Sequence, residues 1–208
     1  MKNVLKYLVI IISMTCAAQN PVINIKDQFV SDIINGAYYK DVDNLLSPFQ
    51  GEYVFSNGGT YLKIVLQKKV LADNGNYYED LMIGEYEYKE NNITKANTLS
   101  KLNGNLPYKL MHIIHGNSIL KKSNKPPCPD CGVDEKRLSL GILEGSAYGT
   151  IAIRKIIHNG QEAIKMHIRQ TSNNLMSSRN SGLVQINGTV STPSYLSIPN
   201  GYYILIKQ

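Results

Sequence analysis

The sharpest chemical motif in the sequence is a pair of cysteines, Cys128-Pro129-Asp130-Cys131. Such a pair can close a disulfide, cycle between dithiol and disulfide, or supply two of the four ligands of a structural zinc ion. A redox pair needs a low-pKa thiolate, which is usually found at the N-terminus of a helix, but a strand pattern follows from Glu135 onward. The favoured interpretation is a structural disulfide between Cys128 and Cys131, with a redox pair and a metal site as open alternatives.

The four histidines could complete a zinc site, but their spacing does not indicate one. His112 and His115 are three residues apart on a predicted strand, so their side chains are expected on opposite faces. His167 lies on the polar face of another predicted strand, where a solvated side chain is the simpler expectation. The sequence therefore predicts no metal site and no cofactor.

Signatures of catalysis are also missing from the sequence. The acidic neighbours Glu79 and Asp80 project to opposite faces of a predicted strand, so they cannot act as the facing carboxylates of a glycosidase. The segment nearest to a hydrolase nucleophile elbow is Gly145-Ser146-Ala147-Tyr148-Gly149, which fits a hairpin turn better. No catalytic residue is predicted.

The elements that must position these residues are strands, because apolar residues recur with a period of two. Between residues 161 and 170, three apolar side chains (Ile164, Met166, Ile168) alternate with three polar ones (Lys165, His167, Arg169). Asn and Gly between such runs accept the positive φ angles of tight hairpin turns. Strands are predicted near residues 51–56, 59–70, 77–89, 93–99, 108–115, 118–121, 135–143, 148–158, 161–170 and 201–207.

Short connections make neighbouring strands antiparallel, and the predicted fold class is all-β. A meander of roughly eight to ten strands with one apolar face must close on itself or gain a second layer. We expect an up-and-down barrel, with a two-sheet sandwich as the alternative. Residues 47–208 are expected to form this single β domain, and residues 19–46 a lead-in with short helical turns.

Two stretches lack strand periodicity. Residues 123–133 form a loop with several prolines and both cysteines. Residues 171–197 are rich in Ser, Asn, Gly and Thr and are expected to be the most mobile part of the domain, although residues 183–186 could add a short strand.

The first 18 residues have the three parts of a secretory signal peptide. Lys2 and Lys6 supply the positive region, residues 8–12 the apolar region, and Ala18 a small residue before cleavage at Gln19. The protein is therefore expected to be exported to the periplasm or the extracellular medium. A lipoprotein signal, with Cys16 as the lipidated residue, is the alternative.

Removal of the signal would lower the formal net charge from +6 to +4 and leave two of the three cysteines. Basic residues are spread along the remaining chain, so the stripe that nucleic-acid binding requires is not indicated. No later segment approaches the roughly 20 apolar residues of a transmembrane helix. Nucleic-acid binding and a transmembrane segment are therefore not expected.

Four strand and turn segments carry a resemblance to a known family. They are residues 36–41 (GAYYKD), 47–53 (SPFQGEY), 78–86 (YEDLMIGEY) and 199–208 (PNGYYILIKQ). These segments resemble DUF6705, a family of exported proteins of unknown function found mainly in flavobacteria. The resemblance covers nearly the whole chain after the signal, and it implies compartment and fold but no activity.

A second, weaker resemblance is to lipocalin-type barrels. The opening Gly51-Glu52-Tyr53 is similar to the Gly-x-Trp of their first strand, across which a basic residue near the chain end packs. Lys207 would be that cation, with Lys155 as an alternative. Tyr replaces Trp here and Lys replaces Arg, and Lys stacks less readily than Arg. The resemblance implies that Gly51, Tyr53 and Lys207 close the barrel.

Three hypotheses about function follow. The first is a non-catalytic binding module for a small apolar ligand or an envelope partner. The second is a structural or interaction protein of the cell envelope without a small-molecule site, and the third is an enzyme of unknown class. The 14 tyrosines suit half-buried strands or an aromatic binding surface, and a cavity inside the barrel would favour the first hypothesis.

Overall fold

A computed structural model describes residues 20–27, 33–104, 106, 112–171 and 195–208, and every structural statement below concerns these residues. The predicted signal peptide at residues 1–18 and the short strand suggested at residues 183–186 lie outside them.

The described chain contains eleven strands and three short 3₁₀ helices. The strands are β1 (Val22–Asn24), β2 (Tyr38–Lys40), β3 (Gly51–Asn57), β4 (Thr60–Asp73), β5 (Tyr78–Glu90), β6 (Ile93–Asn97), β7 (Ile114–Leu120), β8 (Arg137–Glu144), β9 (Ala147–His158), β10 (Gln161–Thr171) and β11 (Gly201–Lys207). The 3₁₀ helices are Ile25–Asp27, Ser47–Phe49 and Leu99–Asn103.

Eight of these strands form a closed antiparallel barrel. Their order around the barrel is β5, β4, β3, β11, β10, β9, β8 and β7, and pairing of β7 with β5 closes it. The predicted all-β barrel is confirmed, and the two-sheet sandwich does not form. Closure removes the free edges that an open meander would expose.

Tight turns explain why the long hairpins form as predicted. β3 and β4 are joined by Gly58-Gly59, with φ angles of 54° and 84°. β9 and β10 are joined by Asn159-Gly160, with φ angles of 51° and 79°. Two consecutive residues with positive φ match the right-handed twist of the strands they connect, and Asn and Gly adopt that conformation at little cost.

β5 organises the rest of the sheet. One edge pairs with β4 along its length, and the other edge meets β2, β7 and β6 in turn. β1, β2 and β6 lie outside the barrel, and β1–β2 and β2–β5 pair in parallel. The lead-in therefore contains the Ile25–Asp27 helical turn together with two short strands that the sequence pattern does not predict.

The turn predicted between the strands near residues 108–115 and 118–121 is wrong. Residues 114–120 form the single strand β7, and its pairing with β8 shifts register between His115 and Ser118. Gly116 has a φ of 142°, and this bulge bends the strand without ending it. His112 lies before the start of β7, so His112 and His115 do not occupy opposite faces of one strand as expected. Residues 107–111 of the predicted strand lie outside the described residues.

The barrel interior is filled by side chains that form one contiguous apolar cluster. The inward face predicted for residues 161–170 is confirmed, because Ile164, Met166 and Ile168 of β10 are buried. The same alternation buries Leu62, Ile64 and Leu66 of β4 and Leu138, Leu140 and Ile142 of β8. Leu46 and Phe49 join the cluster at the end where β3 begins, and Leu196 and Ile198 join it at the opposite end. Tyr53, Tyr86 and Tyr88 are fully buried among them.

Candidate functional site

A small cavity lies on the outside of the barrel, between the loop that carries the two cysteines and the outer surface of β8 to β11. We call it the outer pocket, and its volume is about 160 Å³. The loop supplies one wall, made by Pro126, Pro127, Cys128, Pro129 and Asp130. The strands supply the floor, made by Arg137, Ala152, Arg154, Lys165, His167 and Tyr202.

Strand alternation explains why these side chains face outward. In β9, Ile153 points into the barrel core and its neighbours Ala152 and Arg154 point away from it. Strand register then aligns the floor in rows across the sheet. Lys165 pairs with Arg154 on one side and Ile204 on the other, and His167 pairs with Ala152 and Tyr202.

The aromatic part of the floor is a stacked pair. The rings of His167 and Tyr202 are parallel to within 11°, and their centroids are 4.2 Å apart. The Tyr202 side is open to solvent, because 65% of this residue is exposed. The Lys165 Nζ atom lies 5.7 Å from the Tyr202 ring centroid. Burial and, after it, the charge of Arg169 lower the pKa of His167, so the ring is neutral at pH 7.

The polar part of the site centres on the carboxylate of Asp130. Arg154 Nη2 forms an ion pair with Asp130 Oδ2, and Lys165 Nζ lies 3.4 Å from the same oxygen. A hydrogen bond from its own backbone, together with attraction to Arg154 and Lys165, holds the pKa of Asp130 below its usual range. These ion pairs fasten the loop wall to the strand floor.

Cys128 and Cys131 form a disulfide, as the favoured interpretation of the motif predicts. Arg154 Nη1 lies 3.7 Å from Cys128 Sγ and 3.5 Å from Cys131 Sγ, so one guanidinium contacts both sulfur atoms. The sequence gives no signal for this contact, because Arg154 is 23 residues beyond Cys131 and reaches the loop only after β9 folds against it.

Arg137 holds the same loop from below. Its side chain is buried and donates hydrogen bonds to the backbone carbonyls of Pro126 (2.6 Å), Lys121 (2.7 Å) and Asn124 (3.0 Å). A buried guanidinium that satisfies three carbonyl oxygens fixes the shape of a loop without regular structure. The disulfide and Arg137 together make the pocket wall rigid.

A groove continues from the outer pocket along β11, and Tyr202 lines both. Its volume is about 470 Å³. The groove has an apolar strip of Val54, Ile204 and Ile206 and a polar part at the β9–β10 turn, where His158 and Asn159 lie. The outer surface therefore offers an aromatic ring where the outer pocket meets this groove.

The three residues predicted to close the barrel come together. Tyr53 of β3 pairs with Lys207 of β11, and a Cβ added at Gly51 would lie 3.2 Å from Lys207 Cε and 3.7 Å from the Tyr53 ring. The Tyr53 hydroxyl donates to the carbonyl of Phe49 at 3.1 Å, and Lys207 Nζ pairs with Glu162 at 2.9 Å. These residues join β3 to β11 and contribute nothing to the outer pocket.

Other polar clusters support the fold. Asp80 accepts hydrogen bonds from the Tyr38 hydroxyl at 2.6 Å and from the amides of Leu71 and Asp41, each at 3.0 Å. Glu85 and His112 form a buried pair, with Glu85 Oε1 3.0 Å from His112 Nδ1. Both clusters lie away from the outer pocket.

A second, larger cavity of about 880 Å³ lies between the lead-in and β7. Two of its charged lining residues, Lys26 and Asp43, already pair with each other at 2.7 Å. It has no aromatic stack comparable to that of His167 and Tyr202 among the contacts of its lining residues in the described chain.

Within the described ranges, no three His, Cys, Asp or Glu side chains are grouped so that they could hold a metal ion. No helix in the described part of the chain is long and apolar enough to cross a membrane.

The sequence model of the family of unknown function DUF6705 matches residues 1–208. No curated protein and no solved structure matches the chain.

Proposed function

The chain belongs to DUF6705, a family of unknown function, and we propose that it is an exported, non-catalytic binding module that holds its ligand on the outside of the barrel. The ligand is a small molecule, or a side chain of an envelope partner, with an aromatic ring, an apolar body and a negatively charged group. The ring stacks on Tyr202, the apolar body lies in the groove, and the negative group enters the outer pocket.

The observation that carries this proposal is the position of Tyr202. Its ring is backed by His167, is 65% exposed, and lines both cavities. A rigid, exposed ring on a strand loses little entropy when a second ring stacks on it, and such a pair is worth roughly 1 kcal/mol beyond area burial. A ligand that covered Tyr202 would contact the outer pocket and the groove at the same time.

The interior of the barrel supports this choice by offering less space. The core cluster includes large side chains from both ends of the barrel, among them Phe49, Tyr53, Tyr86 and Leu196. A packed core accepts a ligand only by rearranging, which costs free energy. A lipocalin-like barrel would be expected to hold a ligand in its lumen. We therefore place the ligand on the outer surface.

Charge selects the polar end of the ligand. Arg154 and Lys165 converge on one carboxylate oxygen of Asp130, and the Asp130 side chain is 57% exposed. The arrangement is already matched to a carboxylate or sulfonate, because two cations face one anionic oxygen. A ligand anion would share these cations with Asp130 or displace it.

The test uses 8-anilinonaphthalene-1-sulfonate, a fluorescent probe that combines aromatic rings with a sulfonate. We expect Tyr202→Ala to weaken its binding about fivefold, which corresponds to roughly 1 kcal/mol of lost stacking. Tyr195→Ala is the matched control, because Tyr195 is 72% exposed and lies outside both cavities. Equal loss of binding in both variants, or in neither, would contradict the proposed site.

A second comparison tests the charged end of the site. Lys165→Met should weaken the sulfonate probe more than it weakens N-phenyl-1-naphthylamine, which keeps the rings and lacks the charge. If the two probes lose affinity equally, the pocket does not recognise the anion. If neither probe binds, the proposed site is refuted.

Export is the other part of the proposal, and the lysines and apolar run of residues 1–18 support it. Expression of the full chain in a bacterial host followed by fractionation and intact-mass measurement tests it. We expect a periplasmic or secreted product that begins at Gln19. A product with an acylated Cys16 would show that the exported protein is lipid-anchored and not free. An uncleaved cytoplasmic product would refute export.

A further inference from the structure

We infer that the Cys128–Cys131 disulfide is a thiol-exchange centre that small thiols reduce reversibly, and that Arg154 sets its equilibrium. The inference shares the outer pocket with the proposed binding function but does not depend on it. It rests on the position of one guanidinium relative to two sulfur atoms.

Arg154 is placed to stabilise the reduced state of the cysteine pair. Arg154 Nη1 lies 3.5 Å from Cys131 Sγ and 3.7 Å from Cys128 Sγ. A guanidinium remains charged at any physiological pH, so it would face a thiolate on either sulfur after reduction. A nearby cation lowers the pKa of a cysteine and stabilises its thiolate. Arg154 therefore supplies the positive charge that a helix N-terminus supplies in other Cys-x-x-Cys centres.

The two sulfur atoms differ in their access to a small thiol. Cys128 is 8% exposed and lines the outer pocket, which has room for a low-molecular-weight thiol, whereas Cys131 is 3% exposed and is not among the lining residues. An attacking thiolate would therefore reach Cys128. The sulfur that leaves is that of Cys131, which is the closer of the two to Arg154.

The exchange balances with two equivalents of a small thiol. The first thiolate forms a bond to Cys128 Sγ, the bond between the two protein sulfurs breaks, and its electron pair leaves on Cys131 Sγ beside Arg154. A second thiolate attacks the mixed disulfide, releases the small-molecule disulfide, and leaves Cys128 as a thiolate. The two thiols are oxidised, the protein disulfide is reduced, and the reverse reaction restores it.

The negative charge of Asp130 opposes the effect of Arg154 on the cysteine thiolates. The inference can therefore be tested by the direction in which each charge moves the redox equilibrium. Its carboxylate oxygen Oδ1 lies 3.4 Å from Cys128 Sγ, and Oδ2 pairs with Arg154. Its negative charge disfavours a thiolate on Cys128 and partly neutralises the guanidinium. Removal of the arginine charge and removal of the aspartate charge should therefore move the redox equilibrium in opposite directions.

The experiment equilibrates the oxidised protein with mixtures of reduced and oxidised glutathione and counts free thiols with a maleimide mass tag. Relative to the unmodified protein, we expect Arg154→Gln to lower the equilibrium constant for reduction about tenfold, which is about 30 mV for a two-electron couple. We expect Asp130→Asn to raise it. Stabilised thiolates make a disulfide more oxidising, which fixes both signs.

Two control variants accompany these measurements. Lys155→Gln removes the same charge from the next residue of β9, whose exposed side chain does not line the pocket, and Tyr195→Ala removes an exposed ring that lies outside both cavities. Neither should shift the equilibrium. A shift from Lys155→Gln as large as that from Arg154→Gln would overturn the role of Arg154 without bearing on ligand binding.

A purely structural disulfide gives a different pattern. Arg154→Gln and Asp130→Asn would then shift the equilibrium in the same direction, by loosening the loop, or would not shift it. An unmodified protein that resists reduction across the whole glutathione range would equally overturn the inference. If Arg154→Gln does not fold, the pH dependence of maleimide labelling in the reduced Asp130→Asn variant decides, because removal of the negative charge lowers the pKa of the Cys128 thiol and a loosened loop does not.

Discussion

Lys207 lies against Gly51 where the last strand of the barrel meets the third. A Cβ added at residue 51 would lie 3.2 Å from Lys207 Cε, and Gly51 has a φ of 140° that side chains rarely adopt. Gly51→Ala should therefore destabilise the protein by roughly 2 kcal/mol through backbone strain. Urea denaturation followed by circular dichroism measures the difference.

Gly132→Ala is the control for that substitution. The nearest atom to a Cβ at residue 132 is 3.8 Å away, which is ordinary contact, and its backbone φ lies outside the strained range. Its unfolding midpoint should stay within experimental error of the parent. Equal destabilisation by both substitutions would show that the strand junction at Gly51 has no special role.

The Asp80 carboxylate should be the most costly acidic group to remove among those described above. It accepts hydrogen bonds from one hydroxyl and two backbone amides, which link β2 and the β4 bulge to β5. Asp80→Ala leaves these donors without their acceptor and should cost roughly 3 kcal/mol or more. Asp43→Ala, which removes the exposed ion pair with Lys26 and a hydrogen bond from Asn24, should cost much less than Asp80→Ala. Similar losses in the two variants would contradict the assigned role of Asp80.

The buried tyrosines should make the protein sensitive to alkali. Burial, and for Tyr38 also its bond to Asp80, raises the pKa of Tyr38 and Tyr53 to about 12. Burial and hydrogen bonds to Glu144 and Glu90 raise the pKa of Tyr86 and Tyr88 further. A folded-state pKa above the unfolded value of about 10 means that stability is full below pH 10 and is lost as the pH rises above it.

Absorbance at 295 nm tests this expectation, since it reports tyrosinate. We expect Tyr38, Tyr53, Tyr86 and Tyr88 to form tyrosinate only well above pH 10, together with loss of the circular dichroism of the barrel. A single transition centred at pH 10 with the fold intact would contradict it.

His167 should titrate below the ordinary histidine value of about 6.5, because burial beside Tyr202 and the charge of Arg169 lower its pKa. The neutral ring contributes stability that is present at neutral pH and is lost as the pH falls through this range. Proton NMR of the imidazole resonances gives the midpoint. Tyr202→Ala should raise it by admitting water, and a midpoint at or above 6.5 in the parent would contradict the stacked geometry.

Much of the barrel follows from local sequence. The alternating faces of β4, β8 and β10 and the positive-φ turns at Gly58 and Asn159 are encoded within a few residues, so they could be predicted. The pairing of β5 with β7 could not, because it joins residues 30 to 34 positions apart. A glycine between Asn and His also indicates a turn more readily than a bulge, which explains the error at Gly116.

The candidate site was predictable only in part. The disulfide follows from the spacing of Cys128 and Cys131, and the outward direction of Lys165 and His167 follows from strand alternation. The stack of His167 on Tyr202 and the contact of Arg154 with both sulfurs depend on the register between strands and on the path of an irregular loop. No local pattern encodes either of these.

The central claim, a ligand site on the outside of a filled barrel, is tested most directly by intermolecular nuclear Overhauser effects. The protein is labelled at isoleucine methyl groups and tyrosine rings and saturated with 8-anilinonaphthalene-1-sulfonate. We predict contacts from the probe to Ile204 and Ile206 in the groove and to the ring of Tyr202. Contacts to Ile153 and Ile164, which are buried in the core, would place the probe in the lumen and contradict the account.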